Sequence, residues 1–162
     1  MAEHEVNWRQ EQPAPKDAIK FIHANFPQVR NLGIYVCRNI KGTNVKSAHS
    51  EGRALDIGLL ASNPSQRSIG DQIFKVLIKS AGQSGIDNVI WNHQIWSVAH
   101  GGPRPWIGHY ANGAVKNPHT DHIHVEWTRD GSQVDRLNFL ELQISILRQG
   151  IEEMTSFYGD KA

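Results

Sequence analysis

Apolar residues recur every three or four positions in three stretches of the 162-residue chain and every second position in several shorter ones, and these two periods lay out its elements. Ala18, Ile19, Ile22 and Phe26 predict a helix over about 15–26, with Pro15 in its first turn and Pro27 interrupting it. Ile69, Ile73, Phe74, Leu77 and Ile78 predict a second over Ser65 to about Ser80, with Gly82 and Gly85 as stop signals. Leu137, Leu140, Ile144, Leu147 and Ile151 predict a long amphipathic helix over Val134 to about Met154. Between them, Leu32–Cys37, Arg53–Leu60, Asn88–Trp91, Gln94–Val98 and His122–Thr128 read as strands, and Gly101–Pro105 as a loop. In Arg53–Leu60, alternation puts Ala54, Asp56 and Gly58 on one face and Arg53, Leu55 and Ile57 on the other. These elements describe a single α+β domain over 1–162, with helices flanking a small, mainly antiparallel sheet.

Composition narrows the function classes. Seventeen basic and sixteen acidic residues leave a formal net charge of +1, so nothing favours nucleic acid or an anionic membrane as the main partner. The one cysteine, Cys37, forms no internal disulfide and is expected in the core, as are Trp91, Trp96 and Trp127. No run approaches the roughly 18 apolar residues of a membrane span, and MAEHEVNWRQEQPAPK lacks the apolar core of a secretory signal. The expectation is therefore synthesis in the cytoplasm, with other machinery delivering the protein if its substrate lies in the periplasm or cell wall.

The chemistry sits in two segments, Ser47–Asp56 and Pro118–His124. His122 and His124 stand two apart in a strand, so both imidazoles emerge on one face. His49 precedes a turn that Gly52 permits, and Asp56 follows on the next strand, so both can reach one ion. Two imidazoles and a carboxylate suit zinc and leave a fourth position for water, which makes His49, Asp56 and His124 the candidate metal ligands for one Zn2+ per chain. The competing arrangement is a buried hydrogen-bond network of the same groups.

Ser47 to Asp56 matches every fixed position of the Ser-x-His-x-x-Gly-x-Ala-x-Asp signature of the M15 family of zinc D-Ala-D-Ala peptidases. His122-Ile123-His124 matches the His-x-His of the wider LAS group of lysostaphin, D-Ala-D-Ala peptidases and hedgehog domains, and Pro118-His119-x-x-His122-x-His124 is similar to the penicillin-insensitive murein endopeptidases. The resemblance spans roughly 30–128 and implies a LAS/hedgehog-like zinc peptidase fold, with zinc on His49, Asp56 and His124. It offers two general bases: His122, the first histidine of the pair, and Asp121, three positions before the last ligand. Strand alternation favours His122, because it shares a face with His124. His119 is the candidate for stabilising the tetrahedral oxyanion as a cation. Arg104, Trp106, His109 and Tyr110 are candidates to line a groove for a carboxylate-bearing peptide. Arg53 is a substrate-binding candidate whose other reading is a structural salt bridge, and Glu126 is either a group orienting a ligand histidine or a solvated strand residue.

The resulting expectation is a zinc endopeptidase of peptidoglycan stem peptides, with the D-Ala to diaminopimelate cross-link favoured and the L-Ala to D-Glu bond next. Such an enzyme would act as a phage lysin or as a secreted antibacterial effector, the latter with an immunity protein and a secretion apparatus as partners. The other classes are a non-catalytic zinc-binding module and a structural baseplate component.

Overall fold

A computed structural model describes residues 7–110, 113 and 116–133; the helix expected over 134–154 lies outside the described residues. Helix α1 (Pro13–Asn25) begins with proline in its first turn and ends one residue before Phe26, as the following proline requires. Helix α2 (Pro64–Ser84) starts on Asn63, whose side chain accepts from the Gln66 amide. It runs past Gly82 and stops at Gly85, whose φ of 67° is the left-handed conformation that ends helices. A short helix, α3 (Arg129–Ser132), closes the described chain. Among the described residues no helix is long and apolar enough to cross a membrane.

Six strands form one sheet: β1 (Arg30–Gly33), β2 (Ala54–Gly58), β3 (Ile86–Trp91), β4 (Gln94–Ser97), β5 (Arg104–Pro105) and β6 (His122–Trp127). Their order is β1-β2-β6-β3-β4-β5, and every neighbouring pair is antiparallel. The protein is thus α+β with an antiparallel sheet and flanking helices, as the periodicities predict. One face of the three central strands is apolar. Leu55 and Ile57 of β2, Val89 and Trp91 of β3, and Ile123, Val125 and Trp127 of β6 are buried there against Ala18 and Ile22 of α1 and Ile73, Phe74 and Leu77 of α2. The Trp91 ring fits only because residue 70 has no side chain; a Cβ there would lie 2.4 Å from the indole. The other face carries Asp56, His122, His124 and Glu126, so strand alternation separates the core from the chemistry.

Three expectations need correction. Within Gly101–Pro105, expected as a loop, Arg104–Pro105 pairs with β4 as strand β5. The strand expected at Leu32–Cys37 is instead Arg30–Gly33, because the backbone beyond Gly33 pairs with the His49 turn rather than the sheet: Ile34 and Val36 bond to His49, and Arg38 bonds to Ser47 and Ser50. Cys37 leaves the sheet with this segment and is exposed instead of sitting in the core.

Candidate metal centre

The register of two central strands builds the site. Asp56 of β2 stands directly opposite His124 of β6, and Gly58 opposite His122, so the side chains of Asp56 and His124 meet on one face. His49 arrives from above the sheet on a single 3-10 turn, Ala48–Glu51. The turn is closed by Gly52 at φ 65°, whose carbonyl accepts from the Gln12 amide at the head of α1. Gln12 is itself buried and donates its side-chain amide to the carbonyls of Asn7, Gln10 and Glu51, which ties the turn to the helix.

Two imidazole nitrogens and the carboxylate of Asp56 converge. His49 Nε2 lies 3.2 Å from Asp56 Oδ2, His124 Nδ1 lies 2.8 Å from Asp56 Oδ1, and the two imidazole nitrogens are 3.4 Å apart. A tetrahedral zinc with bonds of about 2.0–2.1 Å sets neighbouring ligand atoms about 3.3 Å apart, so the spacing fits that ion. The partners of the remaining nitrogens fit as well. His49 Nδ1 is 2.7 Å from the Ile34 carbonyl, which can only accept, so Nδ1 carries a proton and Nε2 is the nitrogen turned toward Asp56, where it could ligate a metal once free of its own proton. His124 Nε2 donates to Glu126 Oε1 at 2.9 Å, and the Asn88 amide holds the other oxygen of that carboxylate at 3.1 Å. A carboxylate–histidine pair of this kind orients a ligand ring and raises its basicity. His49 is 2% exposed and His124 8%, so a bound ion would be shielded from competing water on the protein side.

Electrostatics agree with this arrangement. Burial alone would raise the Asp56 carboxyl, but hydrogen bonds from His124 and His49 hold it well below the usual carboxylate range. Burial also disfavours the His124 imidazolium, yet the bonds to Asp56 and Glu126 outweigh it and raise this group to about 9. Glu126 is lowered to about 2, its burial overcome by the His124 bond.

The base candidates prove to be one unit. Asp121 lies in the bend before β6 with its side chain 69% exposed, and its Oδ1 accepts from His122 Nδ1 at 2.7 Å. His122 Nε2 points into the centre, 3.7 Å from Asp56 Oδ1. His119 completes the wall, its ring 4.8 Å from that of His122 and 5.5 Å from that of His124. Together with His124 these two histidines form a second group whose ligand atoms lie within 4.8 Å of one another. The expectation of a cationic His119 is corrected: burial, then the positive charges of His124 and His122, push it down to about 3, so it is neutral near pH 7. Its Nδ1 donates to the Asn117 carbonyl at 2.6 Å.

The remaining candidates divide. Tyr110 is half-buried, and its hydroxyl is pushed upward by burial and by the charge of Glu126, which places it on the metal side. Trp106 packs edge-on against it, with ring centroids 5.9 Å apart, and donates to the same Asn117 carbonyl that holds His119. This loop therefore borders the centre, with His109 exposed on it. Arg104 is exposed on β5, opposite Ile95 and three strand spacings, about 14 Å, from β6. Arg53 donates to Glu51 Oε2 and to the Trp127 carbonyl, each at 2.6 Å, which is the structural salt bridge.

Sequence reasoning left Asn88 and the Ile34 carbonyl out of the site and rated the orienting role of Glu126 second. Glu126 had a signal, because the alternation that pairs His122 with His124 also places residue 126 on their face. The carbonyl had none.

The fold and site together define an α+β domain whose antiparallel sheet presents a cluster of His49, Asp56 and His124 that could hold a metal ion. The family model of the VldE C-terminal domain matches residues 8–122, well over half of the chain, and the protein belongs to that family. The matched region includes His49, Asp56, His119 and Asp121 and ends at His122, with His124 and Glu126 beyond it. No characterised protein and no solved structure matches the chain.

Proposed function

We propose that this protein is a zinc-dependent peptidase of the M15/LAS type acting on peptidoglycan stem peptides, with the D-Ala to diaminopimelate cross-link as first substrate and the L-Ala to D-Glu bond next. The observation that carries the reading is the triangle of His49 Nε2, Asp56 and His124 Nδ1 with the Asp121–His122 pair beside it. A zinc ion held by these three residues would supply Lewis acidity for activating water and polarising the scissile carbonyl. His122, its Nδ1 proton held by Asp121, has Nε2 available to accept a proton at the edge of the triangle and return it to the departing amine. His119, neutral and buried, keeps Nε2 as an acceptor beside the reacting groups, and the Tyr110 hydroxyl is a donor kept un-ionised on the same side.

The test is incubation of the purified protein with Gram-negative sacculi, with chelator and with zinc restored, followed by mass analysis of released muropeptides. Chelator-sensitive opening of the cross-link is expected, and the masses name the bond. Zinc bound one to one without release would make the protein a zinc-binding module, and unfolding on chelation would make the ion structural.

A further inference from the structure

On the helix side of the sheet a cavity of about 430 Å³ opens between α2 and the β3–β4 hairpin, lined by Arg67, Asp71, Phe74, Lys75 and Ile78 of the helix and by Trp91. Its size is that of a small-ligand pocket. The five helix residues follow one another at helical spacing and form a single stripe. Phe74, Ile78 and the indole give an apolar floor. The one acid, Asp71, is engaged, its Oδ1 accepting from Trp91 Nε1 at 2.9 Å. Arg67 and Lys75 are exposed, and neither is paired with a carboxylate among the described residues. Eight residues of helix separate them, a rise of about 12 Å.

We propose that this pocket binds an acidic peptide, in extended form, through two carboxylates held by Arg67 and Lys75. An extended chain covers about 12 Å in three to four residues. A guanidinium takes a carboxylate bidentately, and the ammonium takes the second as a point charge. The location suits a second peptide of the substrate and to that extent rests on the peptidase reading. Ile90 of β3 is opposite His124, so Trp91 and the hairpin tip, Asn92–His93, lie at the His122 end of β6. The Asn92 amide donates to the His119 carbonyl at 2.8 Å, and Asn92 also lines the pocket. The cavity and the metal centre thus occupy the two faces of one end of the sheet with the hairpin tip between them. A cross-linked substrate offers two peptides, one for each face, and binding away from the scissile bond holds the other arm in place.

The experiment uses zinc-loaded protein carrying His122→Ala to slow turnover, and titrates it calorimetrically with a soluble disaccharide tetrapeptide bearing free carboxylates and with its fully amidated counterpart. The free form should bind at least tenfold more tightly, and adding Arg67→Gln with Lys75→Gln should remove that preference. Both are exposed helix positions where glutamine keeps the helix. On the active protein the same pair should raise KM and leave kcat within twofold. No measurable binding, or a Kd within twofold of the parent in the double variant, overturns the proposal. Charge-dependent binding by a protein that leaves sacculi intact keeps the pocket and removes the peptidase reading; cleavage with KM and Kd unchanged does the reverse.

Discussion

On the proposed zinc reading, Glu126 would set how firmly the centre grips the ion, because its carboxylate holds the outer nitrogen of His124. Glu126→Ala should weaken zinc about 10–100-fold in competition with a chromogenic chelator while the circular dichroism stays unchanged. Glu126→Gln, whose amide oxygen still accepts, should lose less. His124, raised to about 9, must surrender a proton for Nδ1 to ligate, so zinc affinity should climb with pH toward 9 and then level off. The same shifts shape the stability of metal-stripped protein. His124, raised above its unfolded value near 6.5, contributes fully below that pH and loses the contribution as pH rises through about 9. His119, depressed to about 3, contributes above 6.5 and loses it as pH falls toward 3. Stability should therefore peak near pH 6.5 and fall on both sides, by on the order of 1 kcal/mol at pH 5 or 8, read as a lower melting temperature; a flat profile from 4.5 to 9 would contradict both assignments. For turnover, His122→Ala should cost about 10²–10⁴-fold with zinc retained, and Asp121→Asn less, since its carbonyl can still accept from Nδ1. The reverse order makes Asp121 the base. At this scale the convergence of His49, Asp56 and His124 was legible because residue type and spacing carry it, whereas the neutrality of His119 comes from burial that no local pattern records.

The turn between His49 and β2 is the element on which the site hinges. A Cβ at Gly52 would sit 1.7 Å from the Gln10 carbonyl oxygen, and φ of 65° disfavours any side chain there. Gly52→Ala should cost several kcal/mol, seen as a depressed melting temperature, and weaken zinc with it because His49 shifts. Gly82→Ala is the opposite case. That residue lies exposed inside α2 with nothing within 4 Å of a new Cβ, so the change should stabilise by about 0.5–1 kcal/mol. Glycine as a residue type announces both positions, but only tertiary contact tells a required one from a tolerated one. The same reason explains the misplaced first strand. Apolar alternation in Leu32–Cys37 suggests a sheet, but the backbone of Ile34 and Val36 is claimed by the His49 turn instead. By contrast β2, β6 and α2 were readable, since the two faces of the strands and the single stripe of the helix differ sharply in polarity.

For the molecule as a whole, a specific ion should act as a stabilising ligand. At a free zinc concentration 100 times Kd, linkage predicts about 2.7 kcal/mol, or roughly 5–10 °C in melting temperature, lost on chelation without loss of secondary structure. The fold class followed from periodicity because each helix and central strand declares its own buried side. The order of strands did not, because β6 inserts between β2 and β3 through contacts some seventy residues apart. That insertion governs when the protein acquires its chemistry. Asp56 meets His124 only in one alignment of β2 with β6, and a slip by a single residue would turn every histidine of β6 toward the apolar side. The nascent chain carrying His49 and Asp56 therefore holds no complete centre until the last strand has zipped into place. If the centre binds zinc as proposed, metal capture would report that β2 and β6 have paired in the right alignment.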